Sequence, residues 1–343
     1  MKALELVEYG KLEYKEVGKP VYGENEVLIR VKACAICGSD VHGFDGSSGR
    51  RIPPVIMGHE AAGVLEEVGS SVKGFSPGDR VTFDSTLYCG TCSYCRSGRI
   101  NLCDNRKVFG VSCTDYKNNG AMAEYISVPA YLLYRLPENI SYEEAAVIEP
   151  LTVALHAINR TKIHVGDNVV VVGTGTIGQL IIKVLAIMGC GEIIAIDIDE
   201  SKLEMAKANG AQIVIKSDEV DVIAGVRKLT NGKGMDVAFE AVGITKTVAT
   251  ALRCLKKGGE LTLVGNISNS VDFLLQDAVT REVQINCSCA SAGEYDTCLQ
   301  LLEQKKITVK DIINVKASLQ DGAKWFEQLH KGAKGIIKVV LMP

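Results

Sequence analysis

Four cysteines lie close together in the first third of the chain, and their thiols are well suited to hold a metal. Thiolates at short, turn-compatible intervals can surround one Zn²⁺ tetrahedrally, and a shell of four sulfurs leaves no position open for catalysis. The spacing therefore predicts a structural zinc site. The alternatives are an iron–sulfur cluster, which also uses four thiolates, and four unrelated loop cysteines. The residues are Cys89, Cys92, Cys95 and Cys103.

A second set of possible metal ligands consists of Cys37, His59 and Glu60. A catalytic zinc site has three protein ligands of nitrogen, sulfur or oxygen type and keeps a further position for water or substrate. None of the three residues is specific by itself, since a histidine beside a glutamate is often structural or exposed. Together they form a candidate catalytic zinc site, in which the metal would act as a Lewis acid.

A glycine-rich motif, Gly173-x-Gly175-x-x-Gly178, follows an apolar run and precedes a helical pattern. Glycines at these positions allow a tight turn and let the backbone approach a pyrophosphate at a helix N-terminus. Asp197 ends the next apolar run about 20 residues further on, where an acidic residue can bind the ribose of a dinucleotide. The motif and the acid together predict a dinucleotide site.

Asp197 also bears on the choice of dinucleotide. Its charge would repel the 2′-phosphate of NADP, which favours NAD. The alternative role of Asp197 is to cap the helix that begins near Glu200. Lys202 lies near enough to contact the ribose, with a solvated helix position as its alternative. The other predicted cofactor-binding residues lie within the motif and at the end of a later strand: Thr176, Ile177, Val264 and Gly265.

These motifs, in this order over nearly the whole chain, resemble the zinc-dependent medium-chain dehydrogenases. The resemblance is carried by the segments 37–42 (CGSDVH), 58–60 (GHE) and 149–151 (EPL), together with the four cysteines and the glycine motif. The branch that looks closest is that of the sorbitol and other polyol dehydrogenases, galactitol-1-phosphate 5-dehydrogenase included. The resemblance implies two zinc ions per chain, NAD as cofactor and a homodimer or homotetramer.

The resemblance also gives roles to residues around the candidate catalytic zinc. Glu149 matches the glutamate that serves polyol dehydrogenases as the fourth zinc ligand or as the partner of the zinc-bound water. Ethanol-type enzymes carry a cysteine ligand there, so its absence favours polyols. Ser39 and His42 match the positions that relay the alcohol proton outward. A histidine suits this task because it titrates near neutrality. The alternative is that Ser39 caps a helix starting at Asp40 and His42 is an ordinary surface residue.

One departure from the family limits the substrate prediction. Sorbitol dehydrogenases carry an arginine and a tyrosine where this chain has Ala290 and Ser291. Arg50 and Arg51 could supply positive charge to a phosphorylated or carboxylated polyol, because a guanidinium matches such oxygens in bidentate fashion. The alternative for both arginines is a solvated loop.

The pattern of elements changes near residue 149. Before it, half-buried strands such as 26–34 and 80–83 dominate and helical periodicity is scarce. After it, apolar strands alternate with helices, beginning with the run 168–172, which predicts a doubly wound parallel sheet. We expect an α/β protein whose first part is β-rich, and the resemblance implies that this part is a GroES-like catalytic domain (1–150 and 291–343) carrying a zinc lobe. A Rossmann NAD-binding domain (151–290) would complete it, with the active site in a cleft between the two.

The composition narrows the class of protein. The chain has 343 residues, 47% of them hydrophobic, and a net charge of -3. This charge argues against a broad nucleic-acid or anionic-membrane interface. The N-terminus does not resemble a signal peptide, and no apolar run approaches the roughly 20 residues of a membrane span. We expect a cytoplasmic protein.

The function predicted from these observations is an NAD- and zinc-dependent dehydrogenase. It would oxidise a secondary alcohol of a polyol or polyol phosphate to a ketose. One alternative is a threonine or other amino-alcohol or small-diol dehydrogenase, which would share Cys37, His59 and Glu60, although the segment 149–151 argues against it. A more distant alternative is a non-catalytic protein that binds nucleotide or zinc.

Overall fold

A computed structural model describes all 343 residues. By its internal contacts the chain divides into two compact units. The first unit combines Met1–Glu149 with Ala292–Pro343, and the second is Pro150–Ser291. None of the helices combines the length and the apolar composition needed to cross a bilayer.

Twenty strands build the sheets. They are β1 (Lys2–Glu8), β2 (Lys11–Glu16), β3 (Glu26–Ala35), β4 (Val55–Ile56), β5 (Glu60–Val68), β6 (Arg80–Phe83), β7 (Thr86–Leu87), β8 (Lys107–Val108), β9 (Val111–Ser112), β10 (Lys117–Asn118), β11 (Tyr125–Pro129), β12 (Leu133–Arg135), β13 (Val169–Val172), β14 (Ile193–Asp197), β15 (Ile213–Lys216), β16 (Met235–Glu240), β17 (Leu255–Leu263), β18 (Gln284–Cys287), β19 (Ile313–Ser318) and β20 (Lys338–Met342).

Eleven α-helices accompany them. They are α1 (Gly38–Phe44), α2 (Ser93–Arg96), α3 (Tyr142–Ala145), α4 (Ile148–Asn159), α5 (Thr176–Met188), α6 (Glu200–Ala208), α7 (Val222–Leu229), α8 (Thr245–Cys254), α9 (Leu275–Val279), α10 (Tyr295–Glu303) and α11 (Gly322–His330).

The main sheet of the first unit is centred on β3. It has the order β12-β6-β5-β3-β20-β19, and β11 also pairs with β3. The first half of β3 pairs with β11, and its last two residues pair with β20, which comes from the far end of the chain. Ala35 at the end of β3 lies opposite Glu60 at the start of β5. The sheet therefore brings three strand ends close together: the end of β3, which leads to Cys37, the start of β5 and the start of β20.

The second unit is a six-stranded parallel sheet with the order β15-β14-β13-β16-β17-β18. All four valines of β13 are buried, as expected for a central strand covered on both faces. The strand order reverses between β13 and β16, and α5 begins four residues after β13 ends. In doubly wound sheets, ligands bind at the carboxyl ends of the strands at such a reversal.

Two details differ from the sequence-based expectations. Ser39 does not cap α1, because the helix begins at Gly38 and Cys37 occupies the N-cap position. Strand β17 ends at Leu263, so Val264 follows the strand instead of ending it.

Candidate metal and cofactor sites

The four-cysteine cluster is assembled as the sequence predicts. The Sγ atoms of Cys89, Cys92, Cys95 and Cys103 all lie within 4.8 Å of one another. Backbone amides point at the sulfurs: the N–H of Cys92 donates to Cys89 Sγ over 3.4 Å, and that of Cys95 to Cys92 Sγ over 3.5 Å. Amide donors of this kind stabilise thiolates, so the donor set fits a tetrahedral zinc site.

The lobe around these cysteines has little core of its own. Residues 89–99 are exposed or intermediate in burial. Gly90 and Gly98 adopt positive φ angles of 72° and 79°, which other residues rarely reach, and so allow the chain to fold back around the sulfurs. A loop with so few buried contacts depends on metal binding for its folding free energy.

The second predicted ligand set is also brought together. One ligand atom from each of Cys37, His59 and Glu60 lies within 4.8 Å of the other two. The close approach depends on Gly58, whose φ is 97° and where a Cβ would lie 2.7 Å from Cys34 Sγ. Sulfur, imidazole and carboxylate within this distance fit an open zinc site with three protein ligands.

His59 lies beside a buried acid that the sequence analysis did not single out. Its Nδ1 is 3.5 Å from Asp40 Oδ1, which leaves Nε2 for a metal. Burial opposes protonation of the ring, but the negative charges of Asp40 and Cys37 outweigh it and raise the pKa of His59. Burial would raise the pKa of Asp40, but His59 and Arg51 hold it well below its usual range.

Glu60 carries a second interaction that no local pattern indicates. Lys338 Nζ donates to both carboxylate oxygens of Glu60, over 3.0 and 2.8 Å, and to the carbonyl oxygen of Ile36 over 3.2 Å. The side chains of Glu60 and Lys338 are 0% and 1% exposed. Burial would lower the pKa of Lys338, but the charge of Glu60 outweighs this effect and raises it, so the lysine stays protonated.

Glu149 does not belong to the three-residue set, although it lies within the influence of its charges. Burial raises the pKa of Glu149 to about 7, while the positive charge of His59 lowers it and the negative charge of Glu60 raises it further. A carboxyl that titrates near neutrality can take up or release a proton during turnover. A direct ligand role for Glu149 therefore stays a prediction.

The two predicted relay residues share one face of α1. Ser39 and His42 are both exposed and lie three residues apart, a spacing that places side chains next to each other on a helix. Ser39 Oγ accepts a hydrogen bond from Arg51 Nη2 over 3.4 Å. The Ser39 hydroxyl proton is therefore available to another acceptor.

Both sequence-based interpretations of Arg51 were wrong. It is neither solvated nor available to a substrate phosphate, because it is 3% exposed and its guanidinium pairs with Asp40 over 2.8 Å. Arg50 is exposed. The sequence could not distinguish the two neighbours, since the partner of Arg51 lies on α1.

The glycine motif has the geometry that a dinucleotide turn requires. Gly173 has a φ of 92°, and a Cβ there would lie 2.4 Å from Val242 Cγ2. A Cβ on Gly178 would lie 1.9 Å from the carbonyl oxygen of Gly173, so only glycine lets α5 approach the turn. A Cβ on Gly175 would meet nothing within 4 Å, which leaves its backbone open to a ligand.

Asp197 lies in the wall of a cavity of about 420 Å³. One of its oxygens accepts from the Thr174 amide over 2.6 Å and from the Thr174 hydroxyl over 3.0 Å. It is not a helix cap, because Asp199 takes that position on α6.

The cavity brings together only some of the predicted cofactor-binding residues. Gly173, Gly175, Asp197 and Lys202 line it, and so do Ser217 and Lys246, which the sequence did not indicate. The lining does not include five predicted residues: Thr176, Ile177, Gly178, Val264 and Gly265. Gly265 instead packs tightly, since a Cβ there would lie 2.2 Å from the Gly243 amide nitrogen.

Asp84, which follows β6, is expected to make the stability of the first unit depend on pH. Burial raises its pKa from 3.8 to about 6. Between these pH values the folded protein holds more protons than the unfolded chain, so the free energy of unfolding falls as the pH rises. We expect a loss of up to about 3 kcal/mol, since one pKa unit corresponds to about 1.4 kcal/mol.

The measurement is urea unfolding of wild type and Asp84→Asn at pH 4, 5, 6 and 7. The single tryptophan, Trp325, lies in the first unit and reports on it. The variant should lose this part of the pH dependence, because asparagine does not titrate. Equal slopes for the two proteins would contradict the prediction.

Comparison with known proteins agrees with this architecture. Residues 23–138 match the alcohol dehydrogenase GroES-like domain, and residues 176–304 match the zinc-binding dehydrogenase domain. The chain is 36% identical over 326 residues to L-idonate 5-dehydrogenase of Vitis vinifera, covering 92% of this chain and 88% of that protein. It is 32% identical over 347 residues to sorbitol dehydrogenase of Bacillus subtilis, covering 100% and 97%.

A solved structure, that of galactitol-1-phosphate dehydrogenase from Escherichia coli, superposes with a TM-score of 0.92. Its sequence is 28% identical, and the match covers 100% of both chains. The chain belongs to the zinc-dependent alcohol dehydrogenase family. It is a dehydrogenase with a GroES-like domain and a Rossmann domain, and zinc and a nicotinamide dinucleotide are its cofactors. The predicted family and fold class are confirmed.

Proposed function

We propose that this dehydrogenase oxidises a secondary alcohol of a polyol or polyol phosphate to a ketose and transfers the hydride to NAD. The observation that carries the zinc-dependent oxidation is the cluster of Cys37, His59 and Glu60 within 4.8 Å. Relatives with the same architecture are named for sorbitol, L-idonate and galactitol 1-phosphate. Glu149, in place of the cysteine ligand of ethanol-type enzymes, also supports a polyol.

The residues around the site have separate roles in the proposed reaction. When bound, zinc supplies Lewis-acid chemistry that makes an alcohol proton easier to remove. Ser39 Oγ accepts this proton while its own hydroxyl proton moves on toward His42, which is exposed on the same helix face and releases a proton to solvent. Lys338 holds the carboxylate of Glu60. Glu149, with a pKa of about 7, exchanges a proton with groups at the site near neutral pH.

The remaining roles follow from the same proposal. The first unit would hold both zinc ions, one on the four cysteines, and the second unit would bind NAD. A cytoplasmic location is supported by twelve cysteines that form no disulfide. A homodimer or homotetramer is supported by the free edge of β18, by the exposed Ile285 on that strand and by the exposed Leu275 and Val279 of α9. If the substrate is phosphorylated, Arg50 is the candidate to contact the phosphate.

The test is initial-rate kinetics with hexitols, pentitols, their phosphates, 2,3-butanediol, threonine and ethanol. We expect a polyol or polyol phosphate to have the highest kcat/KM and ethanol and threonine to be poor. For a phosphorylated substrate, Arg50→Met should raise KM, whereas KM for the unphosphorylated polyol should stay unchanged. Threonine as the best substrate would overturn the proposal.

NAD specificity gives a separate prediction. Like charges 4–6 Å apart repel by about 3 kcal/mol at an effective dielectric constant near 20. Asp197→Ser removes this repulsion and leaves Lys202 and Lys246 in the same cavity, where they can pair with a 2′-phosphate. The ratio of kcat/KM for NAD over NADP should therefore fall by about a hundredfold.

The matched control is Asp199→Asn, which removes a nearby charge outside the cavity lining and keeps a good helix cap. This variant should retain the wild-type ratio. A wild type that already prefers NADP would show that Asp197 does not select the cofactor.

A further inference from the structure

Arg51 forms an ion pair that is shielded from water, next to the candidate catalytic zinc site. Its Nη2 and Nε lie 2.8 and 3.2 Å from Asp40 Oδ1. Arg51 is 3% exposed and Asp40 is 0% exposed. Two N–H groups of the guanidinium donate to the same carboxylate oxygen, and together they fix the plane of the group. The arginine side chain therefore has few alternative conformations.

Asp40 in turn lies behind two of the three predicted zinc ligands. Its Oδ2 accepts from the backbone N–H of Cys37 over 3.3 Å, and its Oδ1 is 3.5 Å from Nδ1 of His59. A carboxylate in this place fixes the cysteine-bearing backbone by a hydrogen bond and attracts the imidazole by its charge, without a hydrogen bond to Nδ1. Whatever fixes the orientation of Asp40 therefore also fixes two ligands.

The fold provides a dedicated space for Arg51. A Cβ on Gly43 of α1 would lie 2.1 Å from Arg51 Cγ and 2.9 Å from its Cβ, so the stem of the arginine passes over this glycine. The backbone of Arg51 is held by a bridge to Ser112, and the amide of Ile52 donates to the Ser112 carbonyl over 2.9 Å. Neither the stem nor the backbone is free to move away from Asp40.

Arg51 also contacts the predicted relay. Its Nη2 lies 3.4 Å from Ser39 Oγ, which can act only as acceptor toward a guanidinium. This contact aims the Ser39 hydroxyl proton away from Arg51. One guanidinium thus contacts both the carboxylate behind the zinc ligands and the hydroxyl of the relay.

We propose that Arg51 is a positioning residue that holds Asp40, and through it His59 and Cys37, in the geometry that binds the catalytic zinc. A second effect is to set the direction of the Ser39 hydroxyl. The proposal rests on the proposed function, since it assumes a zinc ion at Cys37, His59 and Glu60. Loss of Arg51 frees Asp40 to rotate, and both ligands then lose their support.

The experiment measures release of the two zinc ions to a chelator, without substrate, for wild type, Arg51→Met and Gly43→Ala. Removal of a residue that supports metal ligands typically weakens binding 10–100-fold. We expect the zinc at Cys37 to leave 10–100-fold faster in both variants, and the zinc on the four cysteines to leave at the wild-type rate. Gly43→Ala tests the same contact with the arginine retained, because its methyl group displaces the stem.

A matched control and a double-mutant cycle distinguish positioning from general damage. Arg135 pairs with Asp79 over 2.9 Å on the surface of the same unit, so Arg135→Met should leave both release rates unchanged. Asp40→Asn with Arg51→Met leaves no unpaired buried charge, and it should release zinc no faster than Asp40→Asn alone. If Arg51→Met alone fails to fold, zinc release can still be measured with the double variant.

Wild-type zinc release in both Arg51→Met and Gly43→Ala would overturn the proposal. Additive effects of the Asp40 and Arg51 changes would also overturn it, because Arg51 would then not act through Asp40. A wild type with one zinc per chain would instead refute the proposed function. An inactive wild type that still binds two zinc ions would leave the Arg51 measurement valid.

Discussion

Cys37→Ala is expected to fold normally and to lose turnover by at least about a thousandfold. The thiolate is one of three ligand atoms within 4.8 Å, and two protein ligands hold zinc poorly. A bound metal contributes several kcal/mol to transition-state stabilisation, and each 1.4 kcal/mol is a factor of ten in rate. Elemental analysis should find one zinc per chain in place of two.

The matched control is Cys113→Ala, because Cys113 belongs to neither ligand set. It should keep two zinc ions and wild-type turnover. Cys95→Ala should damage the fold of the zinc lobe, whereas Cys37→Ala should leave the fold intact. Retention of two zinc ions by Cys37→Ala would contradict the assignment of the open site.

Lys338→Met is expected to destabilise the zinc-free first unit by about 3–5 kcal/mol. The change leaves the Glu60 carboxylate buried without its cation, and breaking a buried ion pair on one side costs this much. Zinc can replace the lost positive charge beside Glu60, so the zinc-loaded variant should be closer to wild type. The measurement is urea unfolding followed by Trp325 fluorescence, with and without zinc.

The double variant Glu60→Gln with Lys338→Met provides the control. It removes both charges, so its zinc-free form should be more stable than Lys338→Met alone. If Lys338→Met lowers the free energy of unfolding of the zinc-free protein by less than about 1 kcal/mol, Lys338 does not compensate the buried charge of Glu60.

Features encoded locally could be predicted from the sequence. Four cysteines within fifteen residues specify their cluster by spacing alone, because the connecting loops are too short to separate the sulfurs. The glycine turn could also be predicted, because its backbone angles and close packing exclude residues other than glycine. The alternation of buried strands and helices in the second unit was also predicted, although α7 and α9 were not.

Features that depend on distant pairing could not be predicted. Lys338 lies 278 residues from Glu60, and nothing around either residue indicates the other. Arg51 follows another arginine in a polar stretch, which by composition indicates a solvated loop. Its burial is decided by Gly43 and Asp40 on α1, so only the folded chain distinguishes it from Arg50.

The pairing of β3 with β20 has a consequence for biosynthesis. Glu60 leaves the ribosome 278 residues before Lys338, which at 5–20 residues per second is a delay of roughly 15–55 s. During that interval the nascent chain carries the zinc-binding carboxylate without its lysine, and its central sheet lacks a strand. The second unit, formed by one continuous stretch, is complete earlier. The buried pair of Glu60 and Lys338 can therefore form only after translation has passed Lys338.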